Sequence, residues 1–234
     1  MIRLDKFLSQ MNIGTRSEVK NAVRKGKVTV NGVICKNADE KIDECTDIIC
    51  YDGQKIIYEK FVYYMLNKPA GVVSATSDNR DKTVLDLLVD VPLKDIFPAG
   101  RLDKDTEGLL ILTNDGELAH NLLSPKKHID KTYRVLTKEN ITKEQLERLE
   151  QGVDIGDDTI TMPAKAEWID DKEMLLTICE GKYHQVKRML KTVGNEVVYL
   201  ERKKMGNLSL DEKLPRGEYR RLTAEEVLIL KGEQ

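Results

Sequence analysis

A continuous apolar run, GLLILT, over residues 108–113 restricts the possible folds more than any other part of the sequence. It follows three acidic residues at alternate positions, Asp103, Asp105 and Glu107, and it ends at the turn sequence Asn114-Asp115-Gly116. An apolar run of this length between turn signals is typical of a strand that is buried in a sheet. The sequence therefore predicts a buried strand that starts directly behind a cluster of carboxylates.

Composition indicates a globular protein, because 40% of the 234 residues are hydrophobic and 33% are charged. No apolar run approaches the roughly 18 residues that a membrane span needs, so we expect no membrane contact. The first residues, MIRLDKFLSQ, have no signal-peptide apolar region, so we expect a cytoplasmic protein. The cysteines lack the spacing of a metal site, which predicts reduced thiols and no bound metal at Cys35, Cys45, Cys50 and Cys179.

Beyond residue 60 the strand and helix patterns are mixed without regular alternation, which predicts an α+β fold with a mostly antiparallel sheet flanked by helices. Strands are predicted around residues 61–68, 108–115, 131–137, 164–171, 173–181 and 197–205. Helices are predicted around residues 83–91, 117–125, 142–152, 185–194 and 223–231. A hairpin is predicted over residues 153–162, with Gly156-Asp157-Asp158 as its turn.

The N-terminal region has the pattern of two short helices followed by small strands. Apolar residues at helical spacing predict a first helix over 4–11, which Asn12 and Gly14 end. Thr15 and Glu18 have the spacing of a capping box, which predicts the start of the second helix. Alternating valines around Asn31-Gly32 predict a hairpin.

Charge is distributed unevenly along the chain. Residues 1–36 contain eight basic and two acidic residues, or +6, so the formal net charge of −2 leaves about −8 for the remainder. A basic segment of this kind either binds an anionic partner or forms a solvated basic face.

These features resemble the S-four-type RNA-binding domain through the sequences RLDKFLS, TRSEV and GKVTVNG. The resemblance covers residues 1–58, and it implies a small N-terminal α/β domain that binds structured RNA. The basic residues that would contact RNA in such a domain are Arg3, Arg16, Lys20 and Lys25.

The acidic stretch behind GLLILT allows three interpretations. In a calcium loop, Asp103 would take the first ligand position, but Asn114 stands where position twelve requires a bidentate glutamate. In a solvated turn the acids have no chemical role, which suits Asp105 and Glu107 better than Asp103. In the third interpretation, one carboxylate is catalytic and is held ionised by a nearby cation.

Candidate partners for a catalytic carboxylate lie in the later sequence EGKYHQVKRM. The cations there are Lys182, Lys187 and Arg188, and Tyr133 in KTYRV could stack on a flat substrate. His184 on its own is more often structural than catalytic, because a single histidine without a placed partner shows nothing.

The sequences NKPAG, AGRLDKDTEGLLILTNDG, KTYRV and EGKYHQVKRML, in this order, resemble the ribosomal small-subunit pseudouridine synthase A family. The resemblance runs from end to end and implies that residues 59–234 form the catalytic domain. It implies that Asp103 is the catalytic aspartate, that Tyr133 stacks on the target base and that Lys187 pairs with the aspartate. Many relatives have arginine at position 187, so Arg188 could share the pairing role or take it from Lys187. The positions implied to bind substrate are Arg101, Lys68, Val186, Arg188 and Gln185.

The reaction that the resemblance implies is the isomerisation of uridine to pseudouridine in small-subunit ribosomal RNA. No redox change occurs and no group is added, so no cofactor is expected. The expected partner is this RNA or a partly assembled small subunit, and we expect a monomer. The alternatives are a synthase that acts on large-subunit ribosomal RNA and a non-catalytic RNA-binding assembly factor.

Overall fold

The computed structural model describes residues 1–11, 13–56, 58–89, 91 and 95–232. These residues form two compact units. The first contains Met1–Phe61 together with Val91, and the second contains Val62–Val89 and Asp95–Gln234. No helix among the described residues is long and apolar enough to cross a membrane.

The first unit combines two helices with short strands. Its elements in chain order are β1 Ile2–Arg3, α1 Leu4–Gln10, α2 Arg16–Arg24, β2 Val28–Val30, β3 Val33–Ile34, β4 Lys41–Ile42, β5 Ile49–Tyr51 and β6 Gln54–Ile56. Strands β3, β2, β5 and β6 form one antiparallel sheet in that order, and β1 pairs with β4. The core residues are Leu4, Phe7, Leu8, Val19, Val23, Val28, Cys35, Ile42 and Ile49.

Local sequence signals explain these elements. The hydroxyl of Thr15 accepts a hydrogen bond from the Glu18 backbone N–H, and the Glu18 carboxylate accepts one from Thr15 N at 2.8 Å, so the predicted capping box is present. Asn31 and Gly32 both have positive φ, 52° and 81°, as the tight hairpin turn requires. Helix α1 ends at Gln10, and Asn12, which the sequence predicts as its end, lies outside the described residues.

The second unit contains a nine-stranded sheet. Its elements in chain order are β7 Tyr63–Lys68, β8 Phe97–Pro98, β9 Glu107–Thr113, α3 Gly116–Leu123, β10 Lys131–Thr137, α4 Lys143–Gln151, β11 Lys165–Asp170, β12 Glu173–Ile178, α5 Gln185–Thr192, β13 Val197–Met205, β14 Leu208–Ser209, β15 Tyr219–Arg221 and α6 Ala224–Lys231. The strand order is β11-β12-β10-β13-β9-β7-β15, with β14 on β13 and β8 on β9.

The pairings confirm the predicted α+β class with a mostly antiparallel sheet. Among the described strands, only β9 and β13 are parallel, and they pair through Glu201 with Glu107 and through Arg202 with Gly108. Strand β9 is the predicted buried strand, because Leu109–Leu112 are fully buried. Helices α3 and α6 contribute to the core on one side of this strand.

Gly108 stands at the parallel junction for a steric reason. Its φ is +97°, and a Cβ atom there would lie 2.4 Å from Arg202 O and 2.8 Å from Arg202 N. Only a residue without a side chain lets β13 approach so closely at this backbone conformation. The glycine between the acids and the apolar run is therefore a requirement of strand packing.

Two local predictions are wrong. No strand forms over residues 153–162, because Val153 N donates a hydrogen bond at 3.0 Å to the Thr161 hydroxyl, which closes a loop instead of a ladder. Residues 83–91 form a single 3-10 turn at Leu85–Leu87, in which the Asp86 carboxylate accepts hydrogen bonds from Thr83 N and Oγ1 at 2.7 and 3.0 Å. Asp90, at the end of that predicted helix, lies outside the described residues.

Candidate active site

Asp103 lies in the loop between Leu102 and β9, and a buried lysine binds the backbone of this loop. Lys68 Nζ donates hydrogen bonds to the backbone carbonyls of Asp103, Lys104 and Thr106 at 3.0, 3.3 and 2.8 Å. Burial lowers the pKa of Lys68 to about 8, and the nearby carboxylates oppose that shift. Lys68 is fully buried and does not line the pocket, so the structure places it under the loop instead of against a substrate.

The Asp103 carboxylate faces the first turn of α5. Lys187 Nζ lies 3.1 Å from Asp103 Oδ2 and 2.6 Å from Asp105 Oδ1. Burial opposes the Lys187 charge, but the hydrogen bonds to Asp105 and Asp103 raise the pKa of Lys187. Burial likewise opposes ionisation of Asp105, yet the hydrogen bond with Lys187 lowers its pKa. The lysine therefore remains a cation beside two carboxylates.

Arg188, the alternative partner of Asp103, lies elsewhere. Its guanidinium donates hydrogen bonds to Ile155 O and to Asp157 Oδ1, the latter at 2.6 Å, and it binds Tyr183 O at 3.1 Å. The structure therefore brings Lys187 to Asp103 and uses Arg188 to hold the 155–157 loop.

A pocket that is open to solvent lies beside Asp103. Tyr133 on β10 and Val186 on α5 line it, and Tyr133 is only 8% exposed. Exposed Arg101 borders the same pocket and an adjoining wider cleft. The aromatic wall that Tyr133 gives this pocket suits a flat nucleobase.

Buried cations line the adjoining cleft. Lys131 and Arg202 are 6% and 1% exposed, and both contribute to its wall. Arg202 Nε donates to Leu109 O at 2.8 Å, while its Nη2 is buried and has no hydrogen-bond partner among the described residues. These cations make the wall electropositive, which suits an anionic substrate.

Gln185 is buried, and its side chain builds the turn that precedes α5. Its Oε1 accepts a hydrogen bond from Lys182 N at 3.0 Å, and its Nε2 donates to Glu180 Oε2 at 3.0 Å. Although Gln185 lines the pocket, these polar atoms already have partners within the turn. Its geometry supports a structural contribution at the position implied for substrate binding.

One residue of the site was assigned wrongly from the sequence, and one contact was not predicted. The interpretation of Glu107 as a solvated turn residue is wrong, because its carboxylate binds Tyr199 Oη at 2.8 Å and Arg216 Nε at 3.1 Å. His184 Nε2 lies 3.5 Å from Asp103 Oδ1, and its ring stacks on Tyr183. No sequence signal identified Tyr183, because an exposed aromatic has no periodicity.

The basic residues of the first unit differ in their surroundings. Arg16 and Lys25 are exposed, and Lys20 is half-buried, with Nζ 3.9 Å from Asp5. Arg3 is already paired with Asp5 and with Asp39. All four side chains therefore keep solvent exposure, and Arg3 and Lys20 also bind Asp5 within their own unit.

No group of three or more histidine, cysteine, aspartate or glutamate side chains in the described part of the chain could hold a metal ion. The carboxylates of the site face lysine and arginine side chains instead.

Comparisons with known proteins match both units of the chain. A family model for RNA pseudouridylate synthase matches residues 62–192, and a model for the S4 domain matches residues 2–48. An uncharacterized RNA pseudouridine synthase of Bacillus subtilis is 51% identical, with 100% of both chains covered. The ribosomal small subunit pseudouridine synthases A of Vibrio cholerae and Escherichia coli are 44% and 41% identical, covering 97% of this chain and 98% of theirs.

A crystal structure described as a pseudouridylate synthase has a TM-score of 0.71 and 39% identity, and the match covers 98% of this chain and 100% of that one. The fold, the matched models and these relatives therefore agree along nearly the whole chain. The protein belongs to the RNA pseudouridylate synthase family, enzymes that isomerise uridine in RNA, and it carries an RNA-binding S4 domain at its N-terminal end.

Proposed function

We propose that this enzyme converts a uridine of small-subunit ribosomal RNA to pseudouridine, with Asp103 as the catalytic aspartate. The observation that carries the proposal is the Lys187 ammonium at 3.1 Å from Asp103 Oδ2, beside a pocket lined by Tyr133. A cation at this distance forms an ion pair with the carboxylate and fixes its direction.

The target nucleotide must leave its stack before the base can turn, and unstacking costs a few kcal/mol. The flipped uracil enters the pocket and stacks on Tyr133. Arg101 at the rim of the pocket contacts the RNA strand from which the uracil was flipped. Val186 packs against the other side of the pocket. The electropositive wall of Lys131 and Arg202 favours the anionic backbone of the substrate.

The Asp103 carboxylate acts on the sugar, either by attacking it or by removing one of its protons. The bond between N1 of the base and C1′ of the sugar breaks, the base rotates, and C5 bonds to C1′. The Tyr133 hydroxyl serves in removal of the C5 proton, and N1 gains a proton. Atoms balance without a cofactor, since the product is an isomer of the substrate.

The small-subunit target rests on two supports. The relatives from Vibrio cholerae and Escherichia coli are named ribosomal small subunit pseudouridine synthase A, and the sequence KYHQVKRM has the form expected for that branch. We assign residues 1–58 to RNA binding and residues 59–234 to catalysis, with Arg3, Arg16, Lys20 and Lys25 as RNA contacts. These basic side chains supply the salt-dependent part of the affinity.

Pseudouridine mapping of ribosomal RNA from cells with and without this gene tests the proposal. One small-subunit site should be lost, and the wild-type gene but not Asp103→Asn should restore it. Asp105→Asn is the matched control, since Asp105 also binds Lys187 but its side chain is 73% exposed and does not line the pocket. This control should restore the site.

Other outcomes of the mapping would overturn parts of the proposal. Loss of a large-subunit site instead would keep the reaction and change the target. Restoration by Asp103→Asn would remove the catalytic assignment. No change at any site would favour a non-catalytic role in ribosome assembly.

A further inference from the structure

Tyr183 is the most exposed aromatic side chain among the described residues, at 73%. It lies on the wall of the cleft that also contains Arg101 and Asp103. One face of its ring stacks on His184, with centroids 3.9 Å apart and ring planes 18° apart. With His184 covering one face, this exposure leaves the other face open to solvent.

The stack is held in place from several sides. Arg188 Nη1 donates a hydrogen bond to Tyr183 O at 3.1 Å, and Arg188 N donates to His184 O at 3.0 Å. His184 has a left-handed backbone conformation, φ 46° and ψ 37°, which non-glycine residues adopt uncommonly. Such conformations persist where the surrounding structure enforces them, so the backbone that carries the two rings is held in place.

The stack also adjoins the catalytic pocket. His184 Nε2 lies 3.5 Å from Asp103 Oδ1, and the side chain of His184 lines both the pocket and the wider cleft. A nucleotide next to the target is only one phosphodiester away from it along the strand. When the target flips out, that neighbour loses a stacking partner and needs another surface.

We propose that Tyr183, backed by His184, is a stacking platform for the base of a nucleotide that flanks the target uridine. This inference rests on the proposed function, since it requires an RNA strand whose target base occupies the Asp103 pocket. Exposed aromatic rings bind unstacked RNA bases in this way, and every base has a π face. The platform therefore contributes affinity and strand register with little base selectivity.

Replacement of Tyr183 separates stacking from other roles. Tyr183→Ala should bind a synthetic RNA of small-subunit sequence, centred on the mapped uridine, about 10-fold more weakly than wild type. Tyr183→Phe and Tyr183→Trp should bind it like wild type, because both keep the aromatic face. Trp168→Ala is the matched control, since Trp168 is 54% exposed on β11 and does not line the cleft.

A scan with abasic nucleotides then identifies the stacked base. Removal of one flanking base from the RNA should weaken wild-type binding about as much as Tyr183→Ala does. With that RNA, wild type and Tyr183→Ala should bind equally, because the interaction is already lost. The platform would be overturned if Tyr183→Ala bound the RNA as tightly as wild type does. It would also be overturned if the effects of Tyr183→Ala and of base removal on RNA affinity were additive at every abasic position.

Turnover of full-length ribosomal RNA keeps this test distinct from the proposed function. If wild type modifies no uridine, the proposed function fails and the platform fails with it, whereas an active wild type that Tyr183→Ala matches in both RNA affinity and KM overturns the platform alone. If wild type is active, Tyr183→Ala should raise KM about 10-fold with kcat within about 2-fold. A fall in kcat alone would instead make Tyr183 a positioning residue for His184.

Discussion

The junction between β9 and β13 should be the most sensitive backbone position near the site, and Gly108→Ala tests it. The new Cβ would meet Arg202 O at 2.4 Å and Glu201 Cγ at 2.9 Å, and φ there is +97°. Strain of a non-glycine residue at such a conformation costs about 1–3 kcal/mol. Overpacking against a neighbour that cannot move adds about 1–3 kcal/mol.

The expected loss of unfolding free energy is therefore about 2–6 kcal/mol. For a loss of about 3 kcal/mol, the melting temperature should fall by about 6–12 °C. Trp168 is the only tryptophan in the sequence and lies in the second unit, so its fluorescence during urea or thermal unfolding reports on that unit. Gly116→Ala is the matched control, because no heavy atom lies within 4 Å of its added Cβ.

The control variant should be as stable as wild type or slightly more stable, since alanine suits the start of α3 better than glycine. If Gly108→Ala unfolds within about 0.5 kcal/mol of wild type, the steric explanation of the glycine is wrong. A large loss in both variants would indicate general intolerance to substitution and would also refute the argument.

Two further predictions concern charge. Lys187→Met should fold but should lower single-turnover activity about 10²–10³-fold, because Asp103 loses its cation. The control Lys191→Met, one turn further along the exposed side of α5, should be as active as wild type. Activity within 3-fold of wild type would contradict the pairing. Hydrogen bonding to Arg220 lowers the pKa of Glu226 in the folded protein despite partial burial. Ionised Glu226 therefore stabilises the folded state fully above the pKa that it has in the unfolded chain, and this contribution is lost as pH falls through its lower pKa in the folded state. Glu226→Gln should therefore lower the free energy of unfolding by about 1–2 kcal/mol at neutral pH. In thermal melts between pH 7 and pH 3, its melting temperature should fall less steeply with acid than that of wild type. An equally steep fall would refute the stabilising role of the Glu226–Arg220 ion pair.

Most secondary structure could be predicted because its signals are local. The capping box at Thr15, the turn at Asn31-Gly32 and the apolar face of α5 each lie within a few residues, and the structure contains all three elements. The predicted hairpin at 153–162 failed because a side chain, that of Thr161, takes the hydrogen bond that a ladder would have used. The periodicity of apolar residues does not show whether a side chain replaces the backbone as a hydrogen-bond partner.

Roles within the site were harder to predict because the partners are distant in sequence. Lys68 binds the carbonyl of Thr106, and Glu107 binds Tyr199, across separations that only strand pairing creates. A lysine that supports a loop and a lysine that contacts substrate look the same in a motif. Burial distinguishes them, and burial is a property of the folded chain.

The family, the α+β class and the groups available for chemistry could all be predicted from the sequence, since motifs and periodicity depend only on residue order. It could not decide between Lys187 and Arg188 as the cation for Asp103. Successive residues on a helix point about 100° apart, so only the docking of α5 against the sheet determines which one faces the carboxylate. In the folded protein that residue is Lys187, while Arg188 turns to Ile155 and Asp157.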